Sequence, residues 1–396
     1  MVNWKQNFAV IWLSQFISIM GFNFALPFAP YFIQELGVTD PVRLKMWVAV
    51  FAASTPLTLA VFSPIWGMLA DRYGRRVMLL RANFAGAIVL ALMGTVRSVE
   101  LLILLRLMQG VFTGTMTAAQ TMVSVSTPSH RSGFALGALT AAMYSGAMVG
   151  AFVGGVFADW FGFRGTFFAG GLLLLASGLL VTFGTTENFV RHIPEIEDER
   201  SPVRAHWADL GPALPILILI VAMAGARQFD QAMLPLLVQD IHGSIQGVSI
   251  WTGSLSAFCG IAGLLAAPLL GRLADRVPPP KIGKMSALGA GLLMLPQGLA
   301  HSFLLLFGCR FGMVFCAGGL DPVFQIWLSR VTPEHKRGVV FGWAATARSM
   351  GWVVAPLVSG GVASALGIRS VFFIGSLLFF GLVPLISVVV KRLARD

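Results

Sequence analysis

Six ionisable side chains stand inside long apolar stretches of the chain: Arg106, Arg227, Asp230, Arg310, Asp321 and Arg348. A charge at the centre of a hydrocarbon layer costs about 2.5–3.5 kcal/mol even on the mildest scale, so each is a candidate for function. Asp230 and Asp321 are the carboxyls to consider for proton traffic. Burial raises a carboxyl pKa and a nearby guanidinium lowers it, so a carboxyl alternating between dry and wet surroundings loads and unloads a proton. Arg227 precedes Asp230 by three residues and would share its helix face, while Arg348 lies on the apolar stretch after Asp321 and could pair with it or receive an anion. The proton-coupling candidates are therefore Asp230, Asp321, Arg348 and Arg227. A permanent ion pair that only fixes helix packing fits the same residues.

A second group could line a cavity. Arg106, Gln109, Thr113, Thr117 and Gln120 fall at offsets 0, 3, 7, 11 and 14. At ~100° per residue they share an arc of roughly 80°, a polar stripe on an apolar helix. A matching stripe runs through Arg310, Asp321 and Gln325, and Asn23 and Gln231 are further polar candidates. Interhelical hydrogen bonding without a ligand explains such stripes equally well. Phe22, Phe24, Phe28, Tyr31 and Trp251 read alike as ligand-stacking, lipid-facing or core aromatics.

The elements holding these residues follow from composition. Of 396 residues, 56% are hydrophobic and 11% charged, and the mean hydropathy is +0.80. A soluble chain carries about 25% charged residues, so a soluble enzyme, a disordered chain and a disulfide-stapled module are all excluded. Cys259, Cys309 and Cys316 lie in apolar segments without metal-ligand spacing and read as small buried hydrophobes; no metal and no cofactor are expected. Apolar runs long enough to cross a bilayer, about 20 residues each, recur at 8–31, 46–70, 77–96, 99–125, 133–158, 165–186, 211–236, 248–271, 282–300, 303–329, 338–363 and 369–390. They are continuous rather than alternating, hence helices and not barrel strands. The first is too long for a signal-peptide core and reads as an uncleaved span. A polar stretch separates six spans from six, predicting bundles at 1–186 and 211–396 joined by a linker at 187–210.

Charge then orients the chain. With the N-terminus inside, nineteen Lys and Arg fall in cytoplasmic segments, five in outer loops and four within spans. The bias predicts both termini in the cytoplasm and makes the net charge of +11 a topology signal. Nucleic acid drops out as a partner, and lipid takes its place.

The two halves repeat. Gly67-Met-Leu-Ala-Asp71-Arg72 returns as Gly271-Arg-Leu-Ala-Asp275-Arg276, Arg106 as Arg310 and Gly114 as Gly318, at an offset of 204. Thr127-Pro128, Gly137 and Phe163-Arg164 return as Thr332-Pro333, Gly342 and Ile368-Arg369, at an offset of 205, as do Pro30 and Gln34 in Pro235 and Gln239. Two parallel six-helix repeats are a transporter architecture with the substrate near the midplane between them.

These residues resemble the major facilitator superfamily over essentially the whole chain. Gly67-Met-Leu-Ala-Asp71-Arg72-Tyr-Gly74-Arg75-Arg76 matches that family's first signature, and Arg106-Leu-Met-Gln109-Gly110 is similar to its second. Gly146, Gly150, Gly154 and Gly155 resemble the signature of the twelve-helix drug–proton antiporters, with Ala151 where that family has proline. The resemblance implies an all-α polytopic membrane protein with twelve transmembrane helices in two pseudo-symmetric six-helix bundles. It also implies a conformational latch at Gly67, Asp71, Arg72, Gly74, Arg75 and Arg76, with a degenerate copy at Asp275 and Arg276. The four glycines would let a neighbouring helix pack closely.

No Gly-x4-Gly-Lys-Ser/Thr loop, His-Glu-x2-His pair or Gly-x-Ser-x-Gly elbow is present, so neither a nucleotide partner nor catalysis is expected and transport would run on a gradient. The expected protein is a monomer in the bacterial inner membrane. Its expected activity is proton-coupled export of small amphiphilic organic molecules, multidrug export and antibiotic resistance included. A dedicated carrier of one sugar, siderophore or organic acid is the alternative.

Overall fold

The computed structural model describes residues 4–128, 131–187, 213–332 and 337–393; the side chains of Asp71, Thr117 and Asp275 lie outside that description, as does the expected linker beyond Glu187. Among the described residues every regular element is helical. The helices are α1 (Trp4–Ala25), α2 (Ala29–Glu35), α3 (Pro41–Tyr73), α4 (Arg75–Met93), α5 (Val99–Phe112), α6 (Thr115–Ser126) and α7 (Ser132–Gly184). There follow α8 (Leu214–Gln228), α9 (Leu234–His242), α10 (Val248–Arg276), α11 (Pro279–Gly298), α12 (Phe303–Gly318), α13 (Leu320–Val331), α14 (Arg337–Leu366) and α15 (Ile368–Leu393).

Eight segments of the described chain are long and apolar enough to cross a membrane unaided. One of them, α7, is two helices meeting at Gly162, whose φ of 75° favours glycine. The pairs α5–α6 and α8–α9, together with α11, supply the other crossings, which fits the twelve expected spans. Several of these spans are broken, in matching places. Before Pro30, a 3-10 turn at Leu26–Phe28 interrupts the first span; before Pro235, a turn at 229–233 interrupts the seventh. The fourth span breaks at Thr113–Gly114, with Gly114 at φ 115°, and the tenth at Gly318–Gly319. Interrupted helices leave backbone groups to satisfy, and hydrocarbon tolerates that only where protein or water supplies the partner.

The repeat is also written in the caps. Ser98 accepts from Leu101 N and Ser302 from Leu305 N, each at 3.4 Å, at the starts of α5 and α12. Arg164 Nη1 donates to Gly94 O at 3.1 Å, and its counterpart Arg369 donates to Gly298 O at 3.2 Å and Ala300 O at 3.0 Å. Each guanidinium thus closes the carbonyl end of a helix, where positive charge is favoured.

By contacts the chain divides into two units, Met1–Ile193 with Val238–Gly260, and Pro194–Leu237 with Ile261–Asp396. In the first, α1 lies along the first half of α7. A Cβ at Gly146, Gly150 or Gly154 would collide with the backbone oxygens of Phe16, Met20 and Phe24 in turn, so glycine is what permits this approach. Gly155 faces Ser249 O and Gly253 faces Ala151 O in the same way, which packs the start of α10 on α7. Ile11, Leu79, Met122, Val123, Leu139 and Val181 form a buried core between α1, α4, α6 and α7. In the second unit α11 packs on α15 and α8 on α14, with Gly351 against Ala224.

Gly154→Ala is expected to lower the thermal midpoint of the purified protein, because overpacking costs about 1–3 kcal/mol. Gly137→Ala, where an added Cβ meets nothing within 4 Å, is expected to leave it unchanged; tryptophan-monitored melting in detergent compares the two.

Candidate functional site

The second unit holds two charge groups of different character. Asp230 sits in the turn after α8 and accepts from Arg310 Nη1 of α12. The pair is sealed, with side chains 0% and 1% exposed. Gln297 of α11, also fully buried, accepts from the same Nη1 at 3.4 Å and is held by its own bond to Leu293 O. Asp230 Oδ1 and Arg310 Nε have no hydrogen-bond partner. Removing either ion would strand the other in a dry interior.

Asp321 is placed otherwise. It stands in the first turn of α13, where the helix end favours a carboxylate. Arg227, in the last turn of α8, donates to its Oδ2, and Arg348 of α14 approaches its Oδ1 at 4.0 Å. The three side chains are 27–29% exposed, and Arg348 Nε has no hydrogen-bond partner. This group is one carboxylate between two guanidiniums, open enough to be reached by water.

The shared helix face expected of Arg227 and Asp230 is not formed, and each has its own partner. Helix α8 ends at Gln228, so an interval of three residues no longer places the two on one face. Arg310, expected on a cavity stripe with Asp321 and Gln325, is instead sealed against Asp230; the break at Gly318–Gly319 separates its register from theirs. Gln325 is half-buried and Gln231 exposed.

In the first unit, Arg106 Nη1 donates to Gln109 Oε1, its Nε donates to Phe51 O at 3.4 Å, and its guanidinium lies 4.6 Å from the Phe51 ring centre. Thr55 and Thr58 of α3 donate to the carbonyls of Arg106 and Leu107, locking α3 to α5. Gln109 and Thr113 are buried, and Thr113 Oγ1 donates to Gln109 O at 2.6 Å. The helical stripe stops there. Beyond the break at Gly114, Gln120 is exposed and the Thr117 side chain is outside the described residues. Asn23 bonds back to Ile19 O of its own helix.

The signature loop is only partly described. Gly74 turns at φ 97° between α3 and α4, Arg72 lies over the Tyr73 ring, and Arg72 and Arg276 are exposed. Nothing lies within 4 Å of a Cβ added at Gly67. By sequence, Glu187 is the first residue of the expected linker. Its carboxylate instead accepts from the amides of Arg75 and Arg76 at 3.1 and 2.8 Å, capping α4. Arg76 adds bonds to Thr185 Oγ1 and Thr182 O, so the end of α7 is tied to the start of α4. An acid directly after a span, facing an uncapped helix start, was the available signal.

A third polar group joins α2, α7, α9 and α10 within the first unit. Gln34 and its repeat counterpart Gln239 exchange hydrogen bonds at 2.8 and 3.0 Å. Tyr31, fully buried, bonds Thr252 at 2.6 Å, and Asp159 Oδ2 accepts from Ile250 N at 3.0 Å at the start of α10.

Helices of bilayer length, a six-span repeat and charge pairs buried among apolar helices are the features of a multi-pass membrane transporter. The family model described as Major Facilitator Superfamily matches residues 11–296 and 216–395. A multidrug resistance protein MdtG from Klebsiella pneumoniae (strain 342) is 34% identical over 376 residues, covering 94% of this chain and 90% of that protein. The MdtG of Salmonella newport (strain SL254) is 33% identical over 400 residues, covering 100% and 98%. The chain belongs to the Major Facilitator Superfamily. Its fold is similar to that of a bacterial homolog of the human lysosomal transporter Spinster (TM-score 0.74, 14% identity, 98% of this chain and 95% of that one). It is likewise similar to the nucleoside transporter NupG (TM-score 0.74, 15% identity, 96% and 99%).

The two aspartates should separate in stability measurements. Asp230→Asn leaves Arg310 charged and dry and is expected to cost about 3–5 kcal/mol, whereas Asp321→Asn, in its wetter site, should melt close to the unsubstituted protein. Equal melting of the two variants would contradict the distinction.

Proposed function

We propose that the chain exports small amphiphilic organic molecules, several unrelated drugs among them, in exchange for protons. The observation that carries this reading is the Arg227–Asp321–Arg348 group. Its carboxylate stands between two guanidiniums and remains within reach of water. Protonating it removes the charge that holds α8, α13 and α14 together; deprotonation restores the attraction. A proton therefore changes the relative stability of two helix arrangements, which is what coupling by alternating access requires. Asp230 and Arg310 serve this scheme as a fixed strut, sealed from water. The names of the full-length relatives support multidrug export as the substrate range.

The remaining parts follow the same reading. The two six-span bundles, 1–186 and 211–396, rock about a midplane cavity, with both termini on the cytoplasmic side of the inner membrane and one chain as the working unit. Arg106, Gln109 and Thr113 face that cavity from the fourth span. The loop from Gly67 to Arg76 latches the cytoplasmic side, and Glu187 anchors it by fixing the start of α4. The Gln34–Gln239, Tyr31–Thr252 and Asp159–Ile250 bonds close the opposite side and must open in each cycle.

Two measurements test these statements. In inverted vesicles with an imposed pH gradient, the unsubstituted protein is expected to move several unrelated dyes and drugs. Asp321→Asn should abolish the gradient-driven component with expression intact, and wild-type pH dependence in that variant would remove Asp321 from the mechanism. Movement of a single compound would favour a dedicated carrier. Separately, Gln34→Cys with Gln239→Cys, in a chain whose own three cysteines are replaced, should form a disulfide under oxidant that stops transport until reductant is added. Undiminished transport by the cross-linked protein would exclude opening at this point.

A further inference from the structure

Arg81, in the first unit, has no carboxylate partner among the described residues. Arg81 lies six residues into α4, about 9 Å from its start. Its residue type and place in the chain read as a membrane-surface anchor, but the guanidinium is turned inward. Its carbon sits 3.4 Å from the centre of the Trp66 ring, Nη2 donates to Thr113 O at 3.3 Å, and Nη1 reaches only the Met78 sulfur at 3.8 Å. Nε is buried without a partner. Among the described residues no carboxylate lies within ion-pair distance of it. Every other in-span arginine is better served: Arg310 has Asp230, Arg227 and Arg348 share Asp321, and Arg106 has Gln109 and a backbone oxygen.

Arg81 opens onto a cavity of about 200 Å³ between α3, α4 and the break joining α5 to α6. That is room for roughly six waters at ~30 Å³ each. Arg75 lines the same cavity. Gly114 and Thr121 line it too, and Gly114 is the N-cap of α6, which no side chain caps. The first amides of that helix are therefore positive groups at the cavity wall. Gly67 leaves its own side of the wall open, since nothing lies within 4 Å of a Cβ placed there. Along the same helices Met68 and Val77 are exposed apolar side chains, so the surface beside the cavity suits acyl chains.

We propose that this cavity binds a phosphate group, with Arg81 and Arg75 as its cationic ligands and the start of α6 as a hydrogen-bond donor. A phosphate supplies the negative charge that Arg81 lacks, and its oxygens match the fork of a guanidinium. Two sources present this chemistry, the headgroup of an anionic phospholipid and free inorganic phosphate. The proposal does not depend on the proposed coupling mechanism.

The test uses the purified full-length chain in detergent, melted in the presence of dihexanoyl-phosphatidylglycerol, inorganic phosphate or, as a phosphate-free control, dihexanoylglycerol. The phosphate-bearing probe that fits should raise the midpoint by at least about 2 °C at saturation, with the control inert. A response to the lipid alone assigns the site to a headgroup, and an equal response to inorganic phosphate assigns it to the free ion. Arg81→Gln should weaken half-saturation by about tenfold or more, as loss of a charge-assisted bond of ~1.5–3 kcal/mol requires. Arg272→Gln, an exposed arginine elsewhere, should leave it unchanged. Should Arg81→Gln fail to fold, Gly67→Leu fills the cavity without removing an arginine and should abolish the response. No response to either phosphate probe, or equal responses in Arg81→Gln and the unsubstituted chain, overturns the proposal.

Discussion

Where hydrocarbon is the solvent, a charge that is not paired, hydrated or used cannot be kept, and the arrangement of this chain follows from how its few buried charges meet that demand. The dry pair Asp230–Arg310 draws the turn after α8 onto α12 and α11. The wetter group at Asp321 joins α8, α13 and α14. Helix α8 carries Arg227 at its end and Asp230 in the turn beyond, so both groups pull on one short segment. The break at 229–233 is what allows the two residues to reach different partners. A straight helix would have kept them side by side, competing for each other.

Close backbone approach is the second determinant. Apolar side chains gain little from meeting each other in lipid, so glycine contacts and polar bonds carry more of the packing. The run Gly146, Gly150, Gly154 serves α1, and Gly155 with Gly253 serves α10. One helix thereby holds neighbours on two sides, with no side chain between backbones. The cluster of Ser14, Ser18, Asn83 and Ser177 repeats the theme in polar form, binding α1, α4 and the end of α7 through buried hydroxyls.

Much of this was readable beforehand, for physical reasons. Length and hydropathy of the apolar runs specify helices, and the equivalent positions 164/369 and 34/239 mark the repeat. Asp230 and Asp321 were conspicuous because carboxylates are rare in such runs. Arg348 was legible as a partner of Asp321, but the pairs Arg227–Asp321 and Asp230–Arg310 were not, since an interval of three residues predicts contact only along an unbroken helix, and the breaks at 229–233, Gly114 and Gly319 carry weak local signals. Arg81 and Glu187 were missed for a related reason. Near a membrane surface, a charge count supplies a sufficient reason for each residue and conceals where its side chain turns.

The bond between Gln34 and Gln239 has an implication for the history of the fold. Equivalent positions of a repeat meet there, as a residue meets its own copy across a twofold axis in a dimer. An amide suits such a meeting because it donates and accepts at once, so two identical side chains satisfy each other. While the halves were separate copies, one substitution would have altered both sides of the contact together. Once fused, each side is free to vary alone, yet here both carry a side chain that can bond to its own kind.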